Sequence, residues 1–174
     1  ANDSKPRWSP DGSSIYFLST RSGSSQVWRL MLAGGEAMQV TRLPVDVNEL
    51  KVAPKGARLL VSMEVFADCA DLDCTAKRLK TIEDSPAKGQ AYDRLFVRHW
   101  DTWSDGRRSH LFALDLAGGE PVDLMGAMDA DCPSKPLGGP EEVAISPDGA
   151  TVVFSAKDVG REEAWSTDFD LFAV

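Results

Sequence analysis

The chain reads as an all-β protein: a partial β-propeller of four-stranded antiparallel blades, with a short helical insertion in its second unit. Two repeated phrases and the patterning around them predict this. Trp8-Ser9-Pro10-Asp11-Gly12 returns as Ile145-Ser146-Pro147-Asp148-Gly149, with a degenerate copy, Val52-Ala53-Pro54-Lys55-Gly56, between them. Ala33-Gly34-Gly35-Glu36 recurs as Ala117-Gly118-Gly119-Glu120, each time closing a strand-like run. Self-similarity at about 45 residues marks a repeat array, and four short strands fill that length.

In the first unit, residues 5–9 lead into a Pro-Asp-Gly turn, in which Pro10 presets its backbone angle and Gly12 accepts a positive one. Strands at 14–19, 26–32 and 37–41 follow, separated by a polar turn at 20–24 and a Gly-Gly turn. Ile15, Phe17 and Ser19 alternate with Tyr16 and Leu18, so apolar side chains lie on both faces and both should be buried. A lone blade cannot do that without neighbours.

Pro10 and Gly34 are 24 residues apart, whereas Pro54 and Gly118 are 64 apart, so the second unit carries about 40 extra residues. The domain 1–174 then divides into units at 1–44, at 45–140 with an insertion at 67–91, and at 141–174. Leu59, Leu60, Val61 and Val65 follow the second turn, and Val152, Val153 and Phe154 the third. Residues 169–174 take the place of a third strand, and the last unit stops before a fourth. Fewer than three complete blades cannot close a ring of four or more, so a larger protein is expected.

Within the insertion, residues 75–84 have the best helical pattern, with Thr75 able to cap the first turn and Leu79 and Ile82 three apart. It is short and charged, and reads as a surface excursion. Residues 92–101 are strongly patterned; as a strand they would place Phe96, Arg98 and Trp100 on one side and Leu95, Val97 and His99 on the other. Asp105-Gly106 then turns the chain back into a strand at 109–116. Trp28, Trp100, Trp103 and Trp165 are read most simply as packing between blades.

Cys69 and Cys74 suit a small disulfide-closed loop, which would imply an oxidising compartment; free thiols are the other reading. Asp68, Asp71 and Asp73 are hard oxygen ligands that mix poorly with thiolates, which disfavours a metal. Cys132 is left over, either buried or reactive. A net charge of -8 argues against nucleic acid and anionic membrane as partners, because phosphate contact wants clustered Lys and Arg. No apolar run approaches the roughly 20 residues of a membrane span.

The sequence contains no nucleophile elbow, phosphate-binding loop, dinucleotide fingerprint or zinc-protease motif, and no cofactor is expected. His99 and His110 fall inside strand-like runs and read as structural. Asp11, Asp105 and Asp148 have a turn role. Glu162 and Glu163 have none. Adjacent carboxylates repel, so holding them together suits a site that receives a cation, the plain alternative being an exposed loop. Arg98 with Trp100 could form a cation–π or carboxylate-binding pair, or a buried structural ion pair.

The W-S-P-D-G repeats resemble the propeller units of TolB-type proteins and of the prolyl oligopeptidase family of serine peptidases. The stretch YDRLFVRHWDTWSDGRRSHLFALDL, at 92–116, and EEAWSTDFDLF, at 162–172, resemble the propeller of that family's dipeptidyl-peptidase and acylaminoacyl-peptidase members. The resemblance implies an exported, periplasmic or secreted exopeptidase in which a propeller caps an α/β-hydrolase domain carrying a Ser-Asp-His triad. The propeller would restrict access to short peptides. No triad residue can be assigned in this chain. Glu162 and Glu163 resemble a propeller glutamate pair that receives a substrate amine; Arg98 and Trp165 are the other candidate substrate-binding residues. A homo-oligomer of the full enzyme is compatible with this. The competing expectation is a non-enzymatic TolB-like propeller that binds a protein partner.

Overall fold

The computed structural model describes residues 1–87 and 89–174; Lys88, inside the expected insertion at 67–91, lies outside the described residues. Strands β1 (Asp3–Trp8), β2 (Ser14–Ser19), β3 (Gln26–Met31) and β4 (Met38–Gln39) form one antiparallel sheet in chain order. A second is built from β5 (Val47–Val52), β6 (Arg58–Val65), β9 (Arg108–Asp115) and β10 (Val122–Asp123). Between β6 and β9 the chain leaves the sheet as helix α1 (Leu72–Asp84) and a ribbon of β7 (Arg98–His99) with β8 (Thr102–Trp103). The third sheet is β11 (Val143–Ile145), β12 (Val152–Ala156) and β13 (Asp170–Ala173).

The sheets stack in series. Alternation along β6 sends Leu59, Val61 and Met63 into a core with Tyr16, Leu18 and Val27 of the first sheet. Leu60 faces the other way, into a core with Leu111, Phe154 and Ala156. The second sheet is therefore buried on both faces. The first strands of the sheets sit side by side, because Arg7 Nε donates to the Leu50 carbonyl at 3.0 Å and Lys51 Nζ donates to that of Val143.

Antiparallel order puts the strand connections at alternating ends. The three repeated turns share one edge: a Cβ added at Gly56 would lie 3.3 Å from Cδ of Pro10 in the neighbouring turn. The loops at 20–25, 66–107 and 157–169 share the opposite edge with the crossover at 40–46.

Three expectations need correction. Helix α1 begins earlier than 75, capped by Asp71, whose side chain accepts from the Cys74 amide; Thr75 is buried and accepts from the Phe66 amide. Residues 92–101 do not form one strand. Only Arg98 and His99 pair before Trp100 turns the chain with a φ of 49°, so the expected alternation of faces is lost. The tryptophans are not all packing between sheets: Trp100 and Trp165 are 75% and 73% exposed, Trp103 is also exposed, and Trp28 is half-buried.

Candidate functional site

Three connections on the loop edge meet at Arg108, the first residue of β9. Its Nε donates to Asp129 at 2.8 Å and Nη1 donates to Asp131 at 2.8 Å. Nη1 and Nη2 together grip both oxygens of Glu163, at 3.0 and 2.7 Å. Such bidentate pairs fix orientation as well as charge. Arg94, in the connection between β6 and β9, donates to the second Asp129 oxygen at 2.6 Å, and Lys135 bridges Glu64 at 2.7 Å and Asp131 at 3.1 Å. Burial works to lower the Arg108 pKa, but the hydrogen bonds to Glu163 and Asp129 and the charge of Asp131 outweigh it and raise it. Burial likewise pushes Asp129 up, yet Arg94 and Arg108 hold it below the usual carboxylate range.

Above this network lies a cleft of about 470 Å³. Phe96, His99, Trp100 and Trp103, from the connection between β6 and β9, give it an aromatic wall, and Arg107, Lys135 and Glu163 give it a charged lining. An aromatic wall with a charged lining suits a ligand with an apolar side chain beside a charged or hydrogen-bonding group. Among the described residues, no group of three or more His, Cys, Asp or Glu side chains could hold a metal ion.

The residues singled out in the sequence are placed unequally. Glu163 lines the cleft, and the cation it receives within the chain is Arg108. Glu162, its neighbour in the short 3-10 helix Gly160–Ala164, is exposed. Trp165 caps that helix and projects into solvent. Arg98 is exposed, and its guanidinium stacks 5.4 Å over Trp103 rather than pairing with Trp100 or entering a buried ion pair. His110 is structural: it is fully buried, with Nδ1 2.9 Å from Asp123 and Nε2 3.0 Å from the Met128 carbonyl. His99 instead lines the cleft, 4.9 Å from the Phe96 ring. Cys69 and Cys74 form a disulfide, and Cys132 is buried.

Sequence reading missed Arg108, Asp129, Asp131 and Lys135. The Arg107-Arg108 doublet after the Asp-Gly turn was a visible signal. Its partners come from 21 to 55 residues away, and no local pattern links them.

No family model matches the chain. Dipeptidyl-peptidase 4 of Giardia intestinalis is 28% identical over 95% of this chain and 26% of its own length. Dipeptidyl-peptidase 5 of Porphyromonas endodontalis is 28% identical over 96% of this chain and 24% of its own. An uncharacterized peptidase of Bacillus subtilis is 30% identical over 91% and 22%. The chain is a distant homologue of peptidases of the prolyl oligopeptidase family. It spans about a quarter of the length of these relatives. An acylaminoacyl peptidase solved with Z-Gly-Gly-Phe-chloromethyl ketone superposes with a TM-score of 0.61 at 17% identity, covering 99% of this chain and 23% of that one. TolB of Acinetobacter baumannii gives 0.52 at 16%, covering 91% and 29%. At these identities the likeness concerns the fold.

Proposed function

We propose that residues 1–174 are the incomplete propeller portion of an exported serine exopeptidase of dipeptidyl- or acylaminoacyl-peptidase type, in which the cleft helps bind short peptides. The observation that carries this is the alignment of 95–96% of the chain with dipeptidyl-peptidases from two distant organisms. Hydrolysis belongs to an α/β-hydrolase domain with a Ser-Asp-His triad, whose serine attacks the scissile carbonyl and passes through an acyl-enzyme. The propeller gates access and holds one end of the substrate.

The geometry supports this reading. Each Glu163 oxygen takes one hydrogen bond from Arg108 and keeps a further acceptor site, while Glu162 beside it is exposed. Together they offer carboxylate oxygens to the ammonium of a peptide. Trp165 lies next to them as apolar surface, and Arg98, with its guanidinium 5.4 Å over the Trp103 ring, presents donors to a peptide carbonyl or carboxylate. The Cys69–Cys74 disulfide suits a periplasmic or secreted setting.

The test uses the longer protein that contains this chain. Glu162→Gln or Glu163→Gln lowers kcat/KM about 10- to 100-fold for substrates with a free N-terminal amine, the loss expected for a charge-assisted hydrogen bond. N-blocked substrates change much less. Equal losses on both classes exclude amine recognition. Peptide binding without any hydrolysis would favour a TolB-like binding propeller instead.

A further inference from the structure

A second hollow of about 290 Å³ lies toward the first sheet, between the loop at 20–25, the crossover at 40–46 and helix α1. Ser24, Asp46, Asn48 and Leu79 line it. Glu64 and Arg107 line both cavities and form the wall between them. Glu64 is held by Lys135 at 2.7 Å and Arg107 by Asp105 at 2.6 Å, so the wall is already neutralised. Cleft and hollow thus adjoin at the loop edge, the first lined by Glu163 of the third-sheet connection and the second by Ser24 of the first.

Asn48 marks the hollow as more than a gap. Between Val47, opposite Met63, and Glu49, opposite Ser62, the register of β5 shifts by one residue, and Asn48 is the unpaired extra. Bulges of this kind re-aim a side chain and recur next to binding sites. Here the exposed carboxamide lines the hollow and has no hydrogen-bond partner among the described residues. An amide carries two donors and an acceptor, the complement of a peptide main chain. One Asp46 oxygen accepts from the Ser25 amide at 2.8 Å, which fixes that carboxylate at the rim. Leu79 supplies an apolar side.

We propose that this hollow is a second peptide subsite, in which Asn48 grips the main chain of substrate residues downstream of the first two. The inference rests on the peptidase reading, because an amino terminus placed at Glu163 directs the rest of the peptide over Glu64 and Arg107 toward the hollow. It makes Asn48 a determinant of preference for peptide length.

The longer protein is assayed with a dipeptidyl p-nitroanilide and with a hexapeptide that begins with the same two residues. Asn48→Ala removes the carboxamide and lowers kcat/KM for the hexapeptide about 2- to 10-fold relative to the p-nitroanilide, the range for one neutral hydrogen bond. Asn48→Trp fills the hollow and lowers the same ratio further. Thermal unfolding identifies any variant that fails to fold, in which case the alanine variant decides. An unchanged ratio in a folded variant overturns the proposal, as do equal losses on both substrates. If the wild-type protein cleaves neither substrate, the peptidase reading fails on its own. Anisotropy of a fluorescent hexapeptide then tests the hollow directly: weaker binding by the Asn48 variants supports the subsite, and unchanged or absent binding overturns it.

Discussion

Asp11 and Asp148 show how one carboxylate builds a turn. Asp11 accepts from the Ser9 hydroxyl at 2.6 Å and the Ser13 amide at 3.0 Å; Asp148 accepts from the Ser146 hydroxyl at 2.5 Å and the Ala150 amide at 3.0 Å. These bonds favour the ionised form, and the Ser9 hydroxyl above all pulls the Asp11 pKa from 3.8 to about 2. A depressed carboxylate contributes stability that is full above its unfolded pKa and is lost as pH falls through the folded one. The Asp11 contribution is therefore complete above pH 3.8 and disappears toward about 2. A carboxyl titration followed by NMR should place Asp11 near that value in the folded chain, with Asp11→Asn removing the transition; an ordinary midpoint would refute the turn role. The degenerate copy lacks the carboxylate but keeps the backbone turn, with the Gly56 amide donating to the Ala53 carbonyl at 2.8 Å and a Gly56 φ of 70°. At Cys132, burial, with Glu142 and Asp131 adding to it, raises the thiol pKa to about 12. Never-reduced protein should show no reactive thiol when native and one when denatured. Three thiols on denaturation would exclude the disulfide.

The short helix Gly160–Ala164 is held from two sides. Lys157 donates to the Glu163 carbonyl at 2.7 Å and the Ser166 carbonyl at 3.1 Å, while Arg108 takes the Glu163 carboxylate. Arg108→Ala leaves Glu163, Asp129 and Asp131 partly buried without their shared cation. That should cost about 3–5 kcal/mol in denaturant unfolding, as removal of one member of a buried ion cluster does. Arg108→Lys keeps the charge but cannot form the fork, and should recover only part of the loss. If the alanine variant loses less than about 1 kcal/mol, the cluster behaves as a surface network instead. The same cluster joins β9 to the β6–β9 connection through Arg94 and to the third-sheet connection through Glu163, so its loss should also loosen the cleft wall.

At the scale of the molecule, the second sheet is buried on both sides while its neighbours are each covered on one. Cross-strand pairing puts Trp8, Ile15 and Leu30 on the outer face of the first sheet together with Phe17 and Trp28, and Arg21 lies 4.9 Å over the Trp28 ring. At the other end Leu171 is 78% exposed. Repeat proteins bury such faces against further repeats. Because the proposed chemistry belongs to another domain, the isolated 174-residue chain should not hydrolyse dipeptidyl or acyl-amino-acid chromogenic substrates. Turnover by the purified chain that is sensitive to a serine inhibitor would overturn that assignment.

The sequence by itself determined the strands of the repeated units and their turns, because those depend on neighbours a few residues apart. Pro10 and Gly12 preset a turn, Tyr16 and Leu18 alternate with Phe17, and the unequal spacing of Gly34 and Gly118 from the preceding turns located the excursion. It singled out Glu163, but not the partner that holds it. The surroundings of each candidate side chain depended on distant contacts. Only the tertiary structure decided that Arg98 stacks on Trp103, that Trp100 projects from a tight turn, and that Asp129, Asp131 and Glu163 converge on Arg108. Local pattern records which face a residue occupies, whereas a charge cluster forms where the stacking of sheets brings separate loops to one edge. The adjoining cavities that hold Glu163 and Asn48 are lined by loops from that one edge.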